Sequence, residues 1–211
     1  MLSIADNQLM TRVGPDTAMG VTLRQYWVPF LLSSELRTPQ APPLNIRLLG
    51  EDLTAFRTGD GAVGLVQTHC AHRGAPLFYG RPEAEGIRCA YHGWMYDTSG
   101  HCVDMPNEPE DSNFNEKVTI RAYPCEERGG VVWTYMGPAA PPPPLPNLEW
   151  NTVPDNQVYV TKRIENCNFV QAMEGEIDSG HSAFLHSTLA DDVFSTPVAV
   201  NLKRSKGERY R

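Results

Sequence analysis

Two stretches decide how this chain folds: Cys70-Ala71-His72-Arg73-Gly74-Ala75-Pro76-Leu77 and Cys89-Ala90-Tyr91-His92-Gly93-Trp94-Met95-Tyr96-Asp97. Each offers one thiolate and one imidazole, and the sixteen residues 73–88 lie between His72 and Cys89. Thiolates suit zinc, copper and iron–sulfur sites, and neutral imidazole suits zinc and iron. A structural zinc site is the first rival, but its usual spacing groups Cys with Cys and His with His. Here each loop mixes the two types. That mixture lets Cys70 and Cys89 hold one iron of a [2Fe–2S] cluster while His72 and His92 hold the other.

Outward from these loops, short apolar runs alternate with turn residues. Ile46 to Leu49 and Leu53 to Arg57 flank Gly50-Glu51-Asp52, Ala62 to Gln67 follows Thr58-Gly59-Asp60-Gly61, and Trp94 to Tyr96 precedes Asp97-Thr98-Ser99-Gly100. Lys117 to Tyr123 and Val131 to Met136 flank Gly129-Gly130. Closely spaced strands of this kind predict an antiparallel β domain. Gly59, Gly61 and Gly64 satisfy G-x-G-x-x-G, but the motif must open a helix to bind a dinucleotide, and the residues after it alternate like a strand. A hairpin turn is the better reading. Before the β region, Leu23, Tyr26 and Trp27 fall at helical spacing, predicting a short helix that Pro29 would stop.

The run Pro141 to Pro144, followed by Leu145-Pro146, predicts a stiff extended connector rather than a strand, with a proline-rich peptide ligand as the alternative. Past it, Gln157 to Ile164 reads as a strand. Phe169, Val170, Met173 and Ile177 read as a helix capped by Asn166 or Asn168. The expected division is an N-terminal segment at 1–26, the cluster domain at 27–137, the connector at 138–146 and the start of a further domain at 147–211.

Apolar residues at 41% and charged residues at 20% argue against wholesale disorder. Twenty-five acidic against eighteen basic residues, a net charge of −7, argue against nucleic-acid binding, which needs a basic face. No stretch has the roughly 20 apolar residues of a membrane helix, and the N-terminus lacks the pattern of a signal peptide. A cytoplasmic protein is expected. Five cysteines make a poor disulfide framework, so Cys102, Cys125 and Cys167 are expected to be buried small hydrophobes. His69 and His101 are expected to be loop or supporting residues outside the ligand set.

A second constellation lies in Glu174-Gly175-Glu176-Ile177-Asp178-Ser179-Gly180-His181-Ser182-Ala183-Phe184-Leu185-His186. Asp178 and His181, three apart, share a face of a helix. His181 and His186, five apart, are about 140° apart around an ideal helix. Both could face one ion only if the helix bends or ends between them, and by spacing alone a structural role for these histidines stays open.

The two Cys/His loops closely resemble those of Rieske oxygenase large subunits, with Ala71 where relatives commonly carry Pro. Met19-Gly20, Leu23-Arg24-Gln25-Tyr26-Trp27-Val28-Pro29, Val131-Val132-Trp133 and Gln171-Ala172-Met173-Glu174-Gly175 resemble the phthalate dioxygenase branch. Glu176 departs from the small residue usual there, a carboxylate that would bear on either the local helix or the iron pocket. The resemblance implies an α+β protein, an antiparallel β Rieske domain followed by the start of a helix-grip-like catalytic domain. It implies a [2Fe–2S] cluster on Cys70, His72, Cys89 and His92, and mononuclear Fe(II) on His181 and His186. The third, carboxylate ligand would come from beyond residue 211, making this chain an N-terminal portion. Asp178 would bridge the two centres. The implied activity is a terminal oxygenase that uses dioxygen and electrons from a separate reductase or ferredoxin to dihydroxylate an aromatic substrate, such as a phthalate-like acid or aryl ether. Oxidative O-demethylation or monooxygenation uses the same centres and stays open. A homotrimer, or a multiple of it, is implied, with His92 of one subunit meeting Asp178 of the next. From other classes, a Rieske electron carrier has no need of the Asp178–His181–His186 set, and a zinc-stabilised binding module would be colourless.

Overall fold

The computed structural model describes residues 2–109, 111–178, 180, 181 and 185. The chain divides into two compact units, 1–163 and 164–211.

In the first unit two short helices, α1 (Ile4–Thr11) and α2 (Ala18–Arg24), precede eleven strands among the described residues. These are β1 (Trp27–Leu32), β2 (Leu44–Leu48), β3 (Glu51–Arg57), β4 (Val63–Gln67), β5 (Arg81–Pro82), β6 (Ile87–Arg88), β7 (Met95–Tyr96), β8 (Cys102–Asp104), β9 (Ala122–Tyr123), β10 (Cys125–Arg128) and β11 (Val131–Tyr135). They form three antiparallel sheets, ordered β1-β11-β10, β2-β3-β4-β9 and β5-β6-β7-β8.

Side-chain alternation along β3 and β4 makes the second sheet the middle layer. Leu53, Ala55 and Leu65 point into a core shared with Leu31, Val132 and Met136 of the first-sheet region. Phe56 and Val66, on the opposite face, join Cys70, Leu77, Ile87, Cys89, Trp94 and Tyr96 in a second core. Successive strand residues point to opposite faces, so β3 is buried at Leu53 through Arg57. Phe56 lies opposite Gly64 in register, and a Cβ on Gly64 would stand only 2.4 Å from the Phe56 ring. The third glycine of the apparent nucleotide motif thus makes room for a core ring. Gly61 occupies the preceding turn with φ +97°, as the hairpin reading requires.

Three expected elements differ. The helix predicted through Trp27 ends at Arg24, and Trp27 opens β1, which continues through Pro29. Proline is tolerated there because β1 is an edge strand whose pairing with β11 shifts register between Pro29 and Leu31. Of the strand predicted over Lys117 to Tyr123, only Ala122–Tyr123 joins a ladder, after a 3₁₀ turn at Asn115–Lys117 and a lone bridge between Thr119 and His101. Gln157 to Ile164 forms no strand: a 3₁₀ turn at Asp155–Gln157 leads into backbone that pairs with no strand among the described residues.

The proline run packs against the first sheet. The Trp27 indole donates to the Pro143 carbonyl at 2.7 Å, Arg128 donates to that of Leu145 at 3.0 Å, and Leu145 is buried with Trp27, Trp133 and Tyr135. Trp150 stacks on Trp133 with ring centroids 6.0 Å apart. The first unit therefore continues past the expected connector to Arg163. No helix among the described residues is long and apolar enough to cross a membrane.

One buried carboxylate ties the N-terminal helices to the middle sheet. Glu51 accepts hydrogen bonds from Arg24 (2.9 Å), Arg121 (2.6 Å) and the Tyr123 hydroxyl (2.8 Å). Arg24, equally buried, also donates to the carbonyls of Val13, Gly20 and Leu49. Burial pushes the Glu51 carboxyl up, but these three donors outweigh it and hold it below its ordinary range. Glu51→Ala leaves Arg24 buried without its counter-charge and is expected to cost about 3 kcal/mol of stability, read from urea unfolding at neutral pH. Because the folded-state pKa is depressed, this stabilisation is present above the unfolded-state value and fades as pH falls through the folded one. The gap between wild type and variant should therefore narrow in acid.

Candidate metal centre

The two loops share one backbone design. The first follows β4, and in it Gly74 N–H donates to the Cys70 carbonyl and Cys70 N–H to that of Ala75, both at 3.0 Å. The second joins β6 to β7, with Gly93 N–H donating to the Cys89 carbonyl (3.1 Å) and Cys89 N–H to that of Trp94 (2.8 Å). Each turn closes on a glycine four residues after its cysteine, with φ of +69° at Gly74 and +78° at Gly93, a region that favours glycine. Each cysteine sits at the base of its loop, 3% exposed and in the same core. Each histidine lies at the rim, half-buried.

The result is two like pairs. The His72 and His92 rings meet edge to face, centroids 4.5 Å apart. Trp94, from the second loop, stacks on His72 of the first at 4.5 Å, nearly parallel. Tyr96 reaches back from β7 to the first loop: its hydroxyl accepts from the Ala71 amide at 3.2 Å and lies 3.2 Å from Cys70 Sγ. With the oxygen occupied as an acceptor, its proton is free to point at the sulfur. Nδ1 of His72 is buried and has no hydrogen-bond partner. Burial, followed by the neighbouring His92 and Arg73, depresses the His72 pKa, favouring the neutral imidazole that binds metals. Burial pushes the Cys70 thiol up. A thiolate enclosed this way needs a cation beside it.

Sequence spacing singled out Cys70, His72, Cys89 and His92, and the structure places Cys70 beside Cys89 and His72 beside His92. Spacing gave no sign of Tyr96 or Trp94 as partners of the opposite loop, because those contacts are made across the loops rather than within one. Cys102 is buried in the same core, its thiol pushed up to about 11 by burial, and Cys125 is partly buried. Cys167 is exposed, correcting the expectation of burial: it precedes α3 (Phe169–Ile177), in a stretch that packs no core. His69 and His101 are exposed loop residues.

In the second unit, α3 is capped by the Asn168 side chain, which accepts from the Val170 amide at 3.0 Å. The helix ends at Ile177, so Asp178 and His181 meet across a turn rather than along a helix face. The Asp178 carboxylate accepts from the Gly180 amide (2.7 Å) and lies 3.2 Å from His181 Nδ1. The Gly180 amide, then His181, hold it below the ordinary carboxylate range against slight burial. His186 lies outside the described residues.

Residues 26–124 match the Rieske [2Fe–2S] domain, and residues 134–202 match a domain described as LigXa C-terminal domain like. The chain is 46% identical over 181 residues to the oxygenase subunit of 3-chlorobenzoate-3,4-dioxygenase from Comamonas testosteroni, covering 86% of this chain and 42% of that protein. It is 44% identical to the phthalate 4,5-dioxygenase oxygenase subunit of Pseudomonas putida, over 89% of this chain and 43% of that one. The chain belongs to the Rieske oxygenase family. It spans less than half the length of these relatives. A crystal structure of dicamba monooxygenase with non-heme iron and dicamba superposes on this Rieske chain with a TM-score of 0.54 at 29% identity, covering 64% of this chain and 40% of that one. The cofactor of a Rieske domain is a [2Fe–2S] cluster, and the donor set fits it: two buried sulfurs, two imidazoles held as a pair, and a buried ring nitrogen in want of a partner. Among the described residues, no three His, Cys, Asp or Glu side chains are grouped to hold one metal ion.

Both loop glycines have positive φ, but only Gly93 is also enclosed: a Cβ there would lie 2.7 Å from Pro106, whereas Gly74 faces open space. Gly74→Ala is expected to cost about 1 kcal/mol from backbone strain alone. Gly93→Ala should cost more, about 2 kcal/mol, because the Pro106 contact adds to that strain. Urea unfolding of the two variants checks the order.

Proposed function

We propose that Cys70 and Cys89, through Sγ, and His72 and His92, through ring nitrogens, hold the Rieske cluster of a terminal oxygenase that hydroxylates an aromatic substrate with dioxygen. The observation that carries this reading is the pairing itself: thiol with thiol at the base of two matched loops, imidazole with imidazole at their rim. His181 and His186, with a carboxylate, are assigned to mononuclear iron(II), and electrons come from a separate reductase or ferredoxin. When bound, the cluster relays single electrons at a potential of about −150 to +300 mV, and a two-histidine, one-carboxylate iron leaves positions open for dioxygen and substrate chemistry.

The chain's own residues set the conditions for that chemistry. Tyr96 is placed to donate to Cys70 Sγ, and hydrogen bonds to the sulfurs are among the determinants of a cluster's potential. Trp94 covers one face of His72 and keeps water from it, while the histidine edges stay closer to solvent than the sulfurs. Asp178, ionised and facing His181 Nδ1, is suited to hold an N–H at that nitrogen, the arrangement that orients metal-binding histidines. We assign Asp178 a bridging role in which it also accepts an N–H from His92 of a neighbouring subunit, in a head-to-tail ring of three that a heterologous interface can close. Ring dihydroxylation is the favoured reaction, in line with the two dioxygenase relatives. Monooxygenation, including O-demethylation, is kept as a second reading because of the likeness to dicamba monooxygenase.

Anaerobic reconstitution of the full chain should yield a red-brown protein with two irons and two sulfides and a Rieske electron paramagnetic resonance signal on reduction. Cys89→Ser should abolish all three. A colourless protein binding one zinc through the four residues would overturn the reading.

In the complete enzyme, His181→Ala should remove the mononuclear iron and hydroxylation while leaving the cluster spectrum unchanged. Asp178→Asn should keep both centres but slow cluster oxidation, with substrate and dioxygen present, by orders of magnitude in single-turnover experiments. Unaltered kinetics would remove Asp178 from the electron path, and product mass separates one added oxygen from two.

A further inference from the structure

The residue before the second cysteine does more than continue β6. Arg88 lies at the centre of a compact polar network under the second loop. Its Nε and Nη2 form a fork on Glu83, at 2.9 Å to Oε1 and 3.0 Å to Oε2. Its Nη1 donates at 2.6 Å both to Asp104 Oδ2, on β8, and to the carbonyl of Gly93. Arg81 adds a second cation, donating at 2.6 Å to the same Glu83 Oε1, and the Met95 sulfur lies 3.5 Å from Nη2. The guanidinium therefore spans β6, the β5–β6 turn, β8 and the loop at once, and it is mostly enclosed.

Gly93 directly follows His92. Holding its carbonyl fixes the Gly93–Trp94 peptide, and Asn107, donating to the His92 carbonyl at 2.8 Å, fixes the His92–Gly93 peptide just before it. The first loop has no such clamp. It is steadied instead by the Tyr96 hydroxyl on the Ala71 amide, so the two loops share a backbone design but not their anchors.

We propose that Arg88 is a positioning residue for the second loop, fixing the direction in which His92 presents its ring. This rests on the cluster reading above only for its spectroscopic consequence; the clamp itself is a property of the chain. The geometry also says why arginine is needed. Only a planar fork can meet both Glu83 oxygens and still turn the two N–H groups of Nη1 toward Gly93 and Asp104, whereas lysine, a point charge with three donors, cannot span them. Charge alone should therefore not restore the function.

The test begins with the apo full chain and amide hydrogen exchange. Arg88→Gln should speed exchange at the Cys89 and Gly93 amides about tenfold or more, the factor carried by one charge-assisted hydrogen bond. The Cys70 and Gly74 amides of the first loop, and those of β3 and β4, should keep their wild-type rates. Arg88→Lys should behave like Arg88→Gln. After reconstitution, both variants should show a changed line shape in the reduced-cluster resonance and a shifted reduction potential. If Arg88→Gln loosens the β3–β4 core as well, Asp104→Asn replaces it, leaving the fork on Glu83 in place. A several-fold acceleration confined to the second loop is then expected. Wild-type exchange in the second loop of these variants, or full rescue of exchange and spectrum by lysine, overturns the assignment. A wild-type chain that takes up no cluster overturns the functional reading instead, and the exchange result identifies which of the two has failed.

Discussion

Burial of β3 and β4 on both faces is the constraint from which the rest of the first unit follows. Because the side-chain period is two, one strand pair supplies Leu53, Ala55 and Leu65 to one core and Phe56 and Val66 to the other. A slip of one residue would exchange these sets and put the Phe56 ring where the first core has room for Ala55. Each of the large apolar side chains involved contributes about 2 kcal/mol when fully removed from water, so the register is strongly held. The metal-binding loops are packed directly on the second core, and their cysteines are part of it.

This placement explains how two six-residue turns, 70–75 and 89–94, can hold a precise donor set without a regular element beneath every ligand. Positive-φ glycines close both turns, and the cysteines are anchored by burial. The remaining freedom, the direction of each histidine, is removed by groups outside the loop concerned: Trp94 and Tyr96 for the first, Arg88 and Asn107 for the second. The second loop and the strand after it thus constrain the first, since Trp94 belongs to that loop, Tyr96 follows it in β7, and both act on the first loop.

Charge is distributed to the same end. Several ion pairs lie where peptide segments are held to a sheet. Arg57 forms a two-pronged pair with Glu127, at 2.7 Å for each contact, and also holds the Leu36 and Gly61 carbonyls. Glu83, between Arg88 and Arg81, is brought down to about 2 by their hydrogen bonds, so it stays ionised throughout the range in which such a protein works. Exposed pairs of this kind add little to stability. The buried part of the network, centred on Arg88, defines a loop.

Much of the site was legible in the sequence because its chemistry is local. A cysteine and a histidine two or three residues apart, followed by a glycine, specify a tight turn and a donor pair without reference to the rest of the chain, and the Leu53 to Arg57 and Ala62 to Gln67 strands declared themselves through alternation. The elements that were misread all depend on partners distant in sequence. Tyr26 and Trp27 have helical spacing to Leu23, and Pro29 reads as a helix stop, yet Trp27 and Pro29 lie in a strand because β11, about a hundred residues later, offers an edge to pair with. Residues 158–164 have the composition of a strand and join no ladder among the described residues. The prolines at 141–144 could be recognised as extended, but only the folded Trp27 indole and Leu145 contact turn that stretch into part of the first unit. Local spacing therefore determined which atoms can bind the cluster. Tertiary packing alone decided which way they point, because the groups that aim the two histidines reach them across loops and strands rather than along the chain.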